Sequence, residues 1–136
     1  MRETAWAHLP NAAVIDALLE EAAAQPEVWQ DGWFVAQNEV KESTHEVARI
    51  ASRIVAQEVL RDDAYAAVWG FAWDIYLPAA RYAWRGATYA LIAWDSSADL
   101  LRLTPDALRT IIDTCDGDVK HQAVLLLPAV IARSTV

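Results

Sequence analysis

The chain has 136 residues, 55% of them hydrophobic, with a formal net charge of −8 and one cysteine. That length supports one domain with a real core, and a lone cysteine excludes an internal disulfide and suits a reducing cytoplasm. The acidic balance argues against nucleic-acid binding, which needs clustered Lys and Arg to neutralise phosphate.

No apolar run approaches the ~20 residues that span a bilayer. The longest, Ala123 to Ala132, has the length of a buried core helix. The opening "MRETAWAHLPNAA" lacks the apolar stretch of a signal peptide, so a cytoplasmic protein without a membrane partner is expected. Four glycines and five prolines punctuate the chain, and alternating strand patterns are absent. Alanine, the best helix former, is abundant. The expected fold is therefore all-α, a single helical domain over residues 1–136 with about five helices.

The first helix is predicted within Pro10 to Gln25, where Val14, Ile15, Leu18, Leu19 and Ala22 recur at helical spacing. Pro26 ends it, because the residue before proline is pushed out of helical geometry. A second helix starts near Glu27 and can run to Leu60 on a stripe of Trp29, Trp33, Ala36, Val47 and Ala51. "STHE" at 43–46 has the form of a capping box and offers a restart there, although no proline or glycine forces one.

The third helical region begins around Asp62 or Asp63 and continues to about Leu103, with a kink expected at Pro78. "TPDAL" is the clearest start signal: Thr104 as N-cap, Pro105 at the first helical position, Asp106 in the first turn. That helix is expected to bury Leu108, Ile111, Ile112 and Cys115 and to stop at Gly117. The last helix, Val119 to about Arg133, is apolar on all sides from Ala123 onward, so protein must surround it, and Pro128 should bend it.

On one continuous third helix, Asp74, Arg81, Arg85 and Thr88 share an arc of roughly 120° with Asp95, Ser96, Asp99 and Arg102. This is the pattern of a solvated face with contacts one turn apart. The functional alternative is a small anion held by Arg81 and Arg85. Seven tryptophans stand against two phenylalanines. Trp73, Trp84 and Trp94 stay roughly aligned on a straight helix, and large Trp beside small Ala packs as knobs into gaps. An aromatic pocket for a cation is the competing reading. Tyr65, Tyr76, Tyr82 and Tyr89 spread around such a helix and define no one site.

"ALIAWD" at 90–95, preceded by "AWD" at 72–74 and "AWR" at 83–85 and followed by "LLLPAVIA" at 125–132, resembles a group of small bacterial proteins of unknown function. Many of those are encoded on integron gene cassettes, and they carry tandem A-W-D-A-A or A-R-D-A-A runs before the same A-L-I-A-W-D block. The resemblance covers roughly the second half of the chain and departs at "GFAWDIYLPAARY", where Pro78 interrupts the tandem pattern. It implies a helical protein of mobile bacterial DNA and no particular activity.

Two acid-x-x-His pairs, Glu42 with His45 and Asp118 with His121, have the spacing of a di-iron bundle. The further acids would have to come from Glu20, Asp74 or Asp95, none well placed, so no metal and no cofactor are expected. "EVKE" at 39–42 has the form of a magnesium-binding acidic pair, but Arg61 stands where the second pair needs an acid. No glycine-rich phosphate loop or G-x-S-x-G turn occurs. Cys115 on the apolar side of its helix is a small buried thiol, and nothing marks His8.

The expected function is a non-enzymatic interaction or regulatory protein that self-associates through Trp/Ala-rich helices. Trp29, Trp33, Trp69, Trp73 and Trp84 are the interface candidates. An all-apolar last helix, a largely apolar third helix and Trp6 exceed what one core would cover, so a homodimer is expected. The alternative is a small-molecule binder or enzyme with its pocket between Trp-bearing helices and Arg81, Arg85 and Asp95 at the rim. A closed core favours the first, and an apolar cavity with convergent polar groups favours the second.

Overall fold

The structure, a computed structural model, describes residues 5–40 and 43–134. The described residues are all-helical, with no strand among them. They form seven α-helices: α1 (Ala12–Ala24), α2 (Pro26–Val40), α3 (Ser43–Ala56), α4 (Val59–Phe71), α5 (Pro78–Ala93), α6 (Pro105–Thr114) and α7 (Asp118–Ser134). Short 3₁₀ segments follow α4 (Ala72–Asp74) and α5 (Ser97–Arg102).

Seven helices replace about five because the two long ones divide. The second predicted helix separates into α2 and α3, with α3 starting at the Ser43 of "STHE", and ends at Ala56. Glu58 is extended (φ −116°, ψ 105°), although no proline or glycine lies there. The break is tertiary in origin. It turns the chain so that α3 (Val47, Ala51, Val55) and α4 (Ala64, Val68) each bury an apolar face, and both helices pack on α5.

Pro78 begins a helix instead of kinking one. Leu77 before it is extended (φ −92°, ψ 134°), as the proline ring demands. Pro78 then occupies the first helical position, where its missing N–H leaves no bond unmade. Arg81 ties the linker down, donating from Nε to the Ile75 carbonyl at 2.7 Å and from Nη2 to the Tyr76 carbonyl at 3.0 Å. At its other end α5 stops at Ala93, and Trp94 is extended. Asn11 Nδ2 donates to the Leu91 and Asp95 carbonyls at 2.9 and 3.2 Å. Ser97 Oγ donates to those of Ala90 and Trp94 at 3.0 and 2.7 Å. The Asn11 bonds satisfy carbonyls that the helix end leaves without partners, and Ser97 adds a second donor to carbonyls already bonded by the Trp94 and Ser97 amides.

The core is built around α7, whose residues 122–132 are buried without interruption, as its all-round apolar sequence requires. α2, α5 and α6 all pack against it. Alanines along α5 allow close approach, and Gly86 lies where a Cβ would stand 3.3 Å from the Leu125 carbonyl oxygen. α6 starts as its sequence signals, with Thr104 Oγ1 accepting from Ala107 N at 3.2 Å. Gly117 after it has φ 77°, the left-handed conformation glycine tolerates. Of the four residues expected to be buried on α6 only Leu108 is; Ile111, Ile112 and Cys115 are half-buried because α6 lies outside α7.

The apolar surplus that pointed to a dimer is largely covered within one chain. Trp6, Trp29 and Trp84 are fully buried in the same core as α7. Trp6 meets Trp84 and Phe71 edge-on, with ring centroids 6.4 and 5.1 Å apart, an arrangement favoured by the ring quadrupoles.

Candidate functional site

α4 and α5 form an antiparallel hairpin in which each turn back along α4 matches a turn forward along α5. The Arg81 guanidinium lies 4.3 Å from the Trp73 ring centroid, and the Arg85 guanidinium 4.1 Å from that of Trp69. One turn further, the Tyr65 and Tyr89 rings are 4.7 Å apart. At the far end Arg61 pairs with Asp95 at 3.0 Å. Residues four apart share a helix face, so two such series facing each other make a ladder of side-chain pairs.

Above this ladder α2 and α3 complete a groove of about 1110 Å³. α2 contributes Trp33, whose ring centroid is 5.6 Å from that of Tyr82 on α5. Gln37 Nε2 donates to Thr44 Oγ1 at 3.0 Å and fastens the end of α2 to the start of α3. α3 presents His45, Arg49 and Ser52 on one face. The floor is aromatic, formed by Tyr65, Trp69, Tyr82 and Tyr89.

The charges of the groove are not equivalent. Arg49 is paired with Glu46 at 2.6 Å. Arg85 has no carboxylate or hydrogen-bond partner among the described residues, and its Nε is buried with no acceptor. An unsatisfied buried donor costs about 1–3 kcal/mol, more when charged. Stacking on Trp69 offsets about 0.5–2 kcal/mol of this. Arg85 is therefore held by its flat face while its hydrogen-bonding capacity goes unused.

Tyr89 is buried, and that burial pushes its phenol well above the ordinary 10.0; the adjacent Tyr65 adds to the rise and Arg85 opposes it. Near neutral pH Tyr89 is an uncharged hydroxyl. Tyr65 hydrogen-bonds to Ser52 Oγ, which donates to the Ala48 carbonyl at 3.0 Å. His45 lies two helical turns from Ser52, roughly 10.5 Å along α3, so the two cannot act as nucleophile and base.

The three rim residues expected from the sequence do not converge. Arg85 lines the groove, Arg81 is engaged by the linker carbonyls and Trp73, and Asp95 is engaged by Arg61 at the end of the ladder. The solvated stripe drawn on one continuous helix dissolves too. The chain leaves helical geometry at Ile75 and Leu77 and again at Trp94, and Thr88 is fully buried.

Among the interface candidates, Trp29 and Trp84 are core residues, out of a partner's reach. Trp33 is half-buried in the groove. Trp69 and Trp73 are 51% and 68% exposed. Tyr65, Tyr82 and Tyr89, which define no site on a single helix, meet once the chain folds back at Pro78. Their signal was present in the spacing: Tyr65, Trp69 and Trp73 before the proline mirror Arg81, Arg85 and Tyr89 after it.

Glu42 of the first acid-x-x-His pair lies outside the described residues. Asp118 of the second opens α7 on the surface. Glu39 of "EVKE" is clasped by Arg109 through two bonds of 2.6 and 2.8 Å. Among the described residues no cluster of three His, Cys, Asp or Glu side chains could hold a metal ion. A smaller hollow of about 540 Å³ beside Trp29 and Val130 contains the Glu21–Arg133 pair, whose charges neutralise each other at 3.1 Å. No helix among the described residues is long and apolar enough to cross a membrane. Comparison with known proteins finds no matching family model, no matching curated protein and no matching solved structure.

Proposed function

We propose that this protein is a non-enzymatic binding protein that takes a small molecule in the aromatic groove above the α4–α5 hairpin. The observation that carries the reading is Arg85: a cation stacked on Trp69, lining an apolar groove, with no acceptor for its buried Nε. Aromatic walls with a small number of convergent polar groups are the usual composition of a ligand site. Cytoplasmic action and carriage on mobile bacterial DNA, the origin the ALIAWD and LLLPAVIA blocks imply, belong to the same proposal.

The test is a metabolite screen read by NMR on the labelled full chain. Bound compounds should move the indole N–H signals of Trp33 and Trp69 together. Hits that shift only residues around Glu21 and Arg133, or no hit at all, overturn the groove reading.

A second reading rests on Trp73 and Tyr76, which are 68% and 77% exposed and three residues apart at the hairpin tip. Large exposed aromatic side chains suit an interaction surface, and Trp is favoured at interface centres. In this reading the protein self-associates as a dimer through the hairpin tip.

A further inference from the structure

Resting on the groove as the binding site, we infer that its ligand is a planar aromatic monocarboxylate, its acid group on Arg85 and its ring against the aromatic floor beside Tyr82 and Tyr65. Arg49, Arg61, Arg109 and Arg133 each face a carboxylate of this chain, and Arg85 does not. A ligand carboxylate supplies an acceptor to the two terminal Nη groups, which, unlike Nε, are neither buried nor hydrogen-bonded among the described residues.

The geometry selects the shape as well as the charge. With one face of the guanidinium on Trp69, its N–H groups point outward in the plane, where a carboxylate accepts them in parallel. A ring attached to that carboxylate then extends along the aromatic floor. A cationic ligand is disfavoured at this position, because the Arg85 guanidinium on Trp69 carries a like charge with no carboxylate paired to it among the described residues. A polyanion is disfavoured too: of the two arginines that line the groove, Arg49 is paired with Glu46, leaving Arg85 as the one without a carboxylate among the described residues, in a chain of net charge −8. Tyr89 beside Arg85 adds a hydroxyl donor suited to an anion.

Three probes of one size separate the possibilities by calorimetry on the full chain: naphthoate, naphthamide and naphthylmethylammonium. Naphthoate should bind at least about tenfold more tightly than naphthamide, the difference one charge-assisted contact supplies, and should move the Trp33 and Trp69 indole signals. Arg85→Met, which keeps the stem on Trp69, should erase the preference; Arg85→Lys, which keeps charge but not the planar fork, should retain part of it. Equal binding of the acid and the amide, with the same signals moved, overturns the carboxylate assignment and leaves the groove standing. Tightest binding of the ammonium probe does likewise. Failure of all three to move the groove signals overturns both. The comparison of probes on the natural chain needs no variant to fold.

Discussion

Gly32 of α2 rests against Pro128 of α7 so closely that a Cβ at position 32 would stand 2.6 Å from the Pro128 carbonyl oxygen and 3.0 Å from the Ala132 nitrogen. Both obstacles are backbone, which cannot swing aside. Gly32→Ala gains up to about 1 kcal/mol of helix propensity, yet forces α2 away from the central helix. Overpacking of this kind costs about 1–3 kcal/mol, and a net loss is expected in urea unfolding. An unchanged or raised midpoint would show that the two helices separate freely.

Asn11 bridges the start of α1 to the end of α5, donating to the carbonyls of Leu91, Trp94 and Asp95 at 2.9, 3.3 and 3.2 Å. Asn11→Ala strips the Leu91 and Asp95 carbonyls of their donor, whereas the Trp94 carbonyl keeps Ser97. A loss of about 1–3 kcal/mol follows for such groups. Hydrogen exchange should quicken at the last turn of α5 before the rest of the helix. Uniform exchange along α5 would refute the capping role.

The Arg61–Asp95 pair should respond unequally to its two partners. Asp95 is 50% exposed and Arg61 18%. Asp95→Asn therefore costs no more than about 1 kcal/mol, the range of surface ion pairs. Arg61→Ala also strips the Ile92 carbonyl of a donor at 2.7 Å and should cost about 1–3 kcal/mol. Equal losses in matched denaturation curves would contradict this assignment.

Stability should fall as alkaline pH rises through the ordinary phenol value of 10.0, because Tyr89 keeps its proton in the folded chain. Its contribution is fully present below the unfolded value. It declines above that value, where the unfolded chain ionises and the folded chain does not. Tyr89→Phe should flatten this part of the pH profile relative to the natural chain. Superimposable profiles from pH 9 to 11, a range of roughly one unit either side of the phenol value, would remove Tyr89 as the cause.

If the hairpin tip pairs two copies, light scattering should give about twice the chain mass of 15.1 kDa at micromolar concentration. Trp73→Glu should then return the mass to one chain without unfolding it, since Trp73 is 68% exposed. One-chain mass for the natural protein, unchanged on concentrating, would sink self-association and leave the groove as the sole binding surface proposed.

Local chemistry was legible wherever neighbours in sequence decide the outcome. Alanine content and helical spacing gave an all-α chain. Thr104-Pro105-Asp106 gave the start of α6, and the apolar circumference of α7 required the central position it occupies. The helical pattern around Pro78 predicts a kink there, yet in local terms proline fits the first turn of a helix equally well. Only the packing of α4 onto α5 chose between the two, and with that choice the Trp, Tyr and Arg positions of one imagined helix became two facing series. The same holds at Glu58, where no local breaker exists and burial of α3 and α4 against α5 turns the chain. Charge partners lay beyond sequence for a related reason. Asp95 finds Arg61 across the hairpin, whereas Arg85 finds an indole ring and no carboxylate. Spacing along one helix fixes which side chains share a face; which neighbour that face meets is set by burial summed over the whole fold.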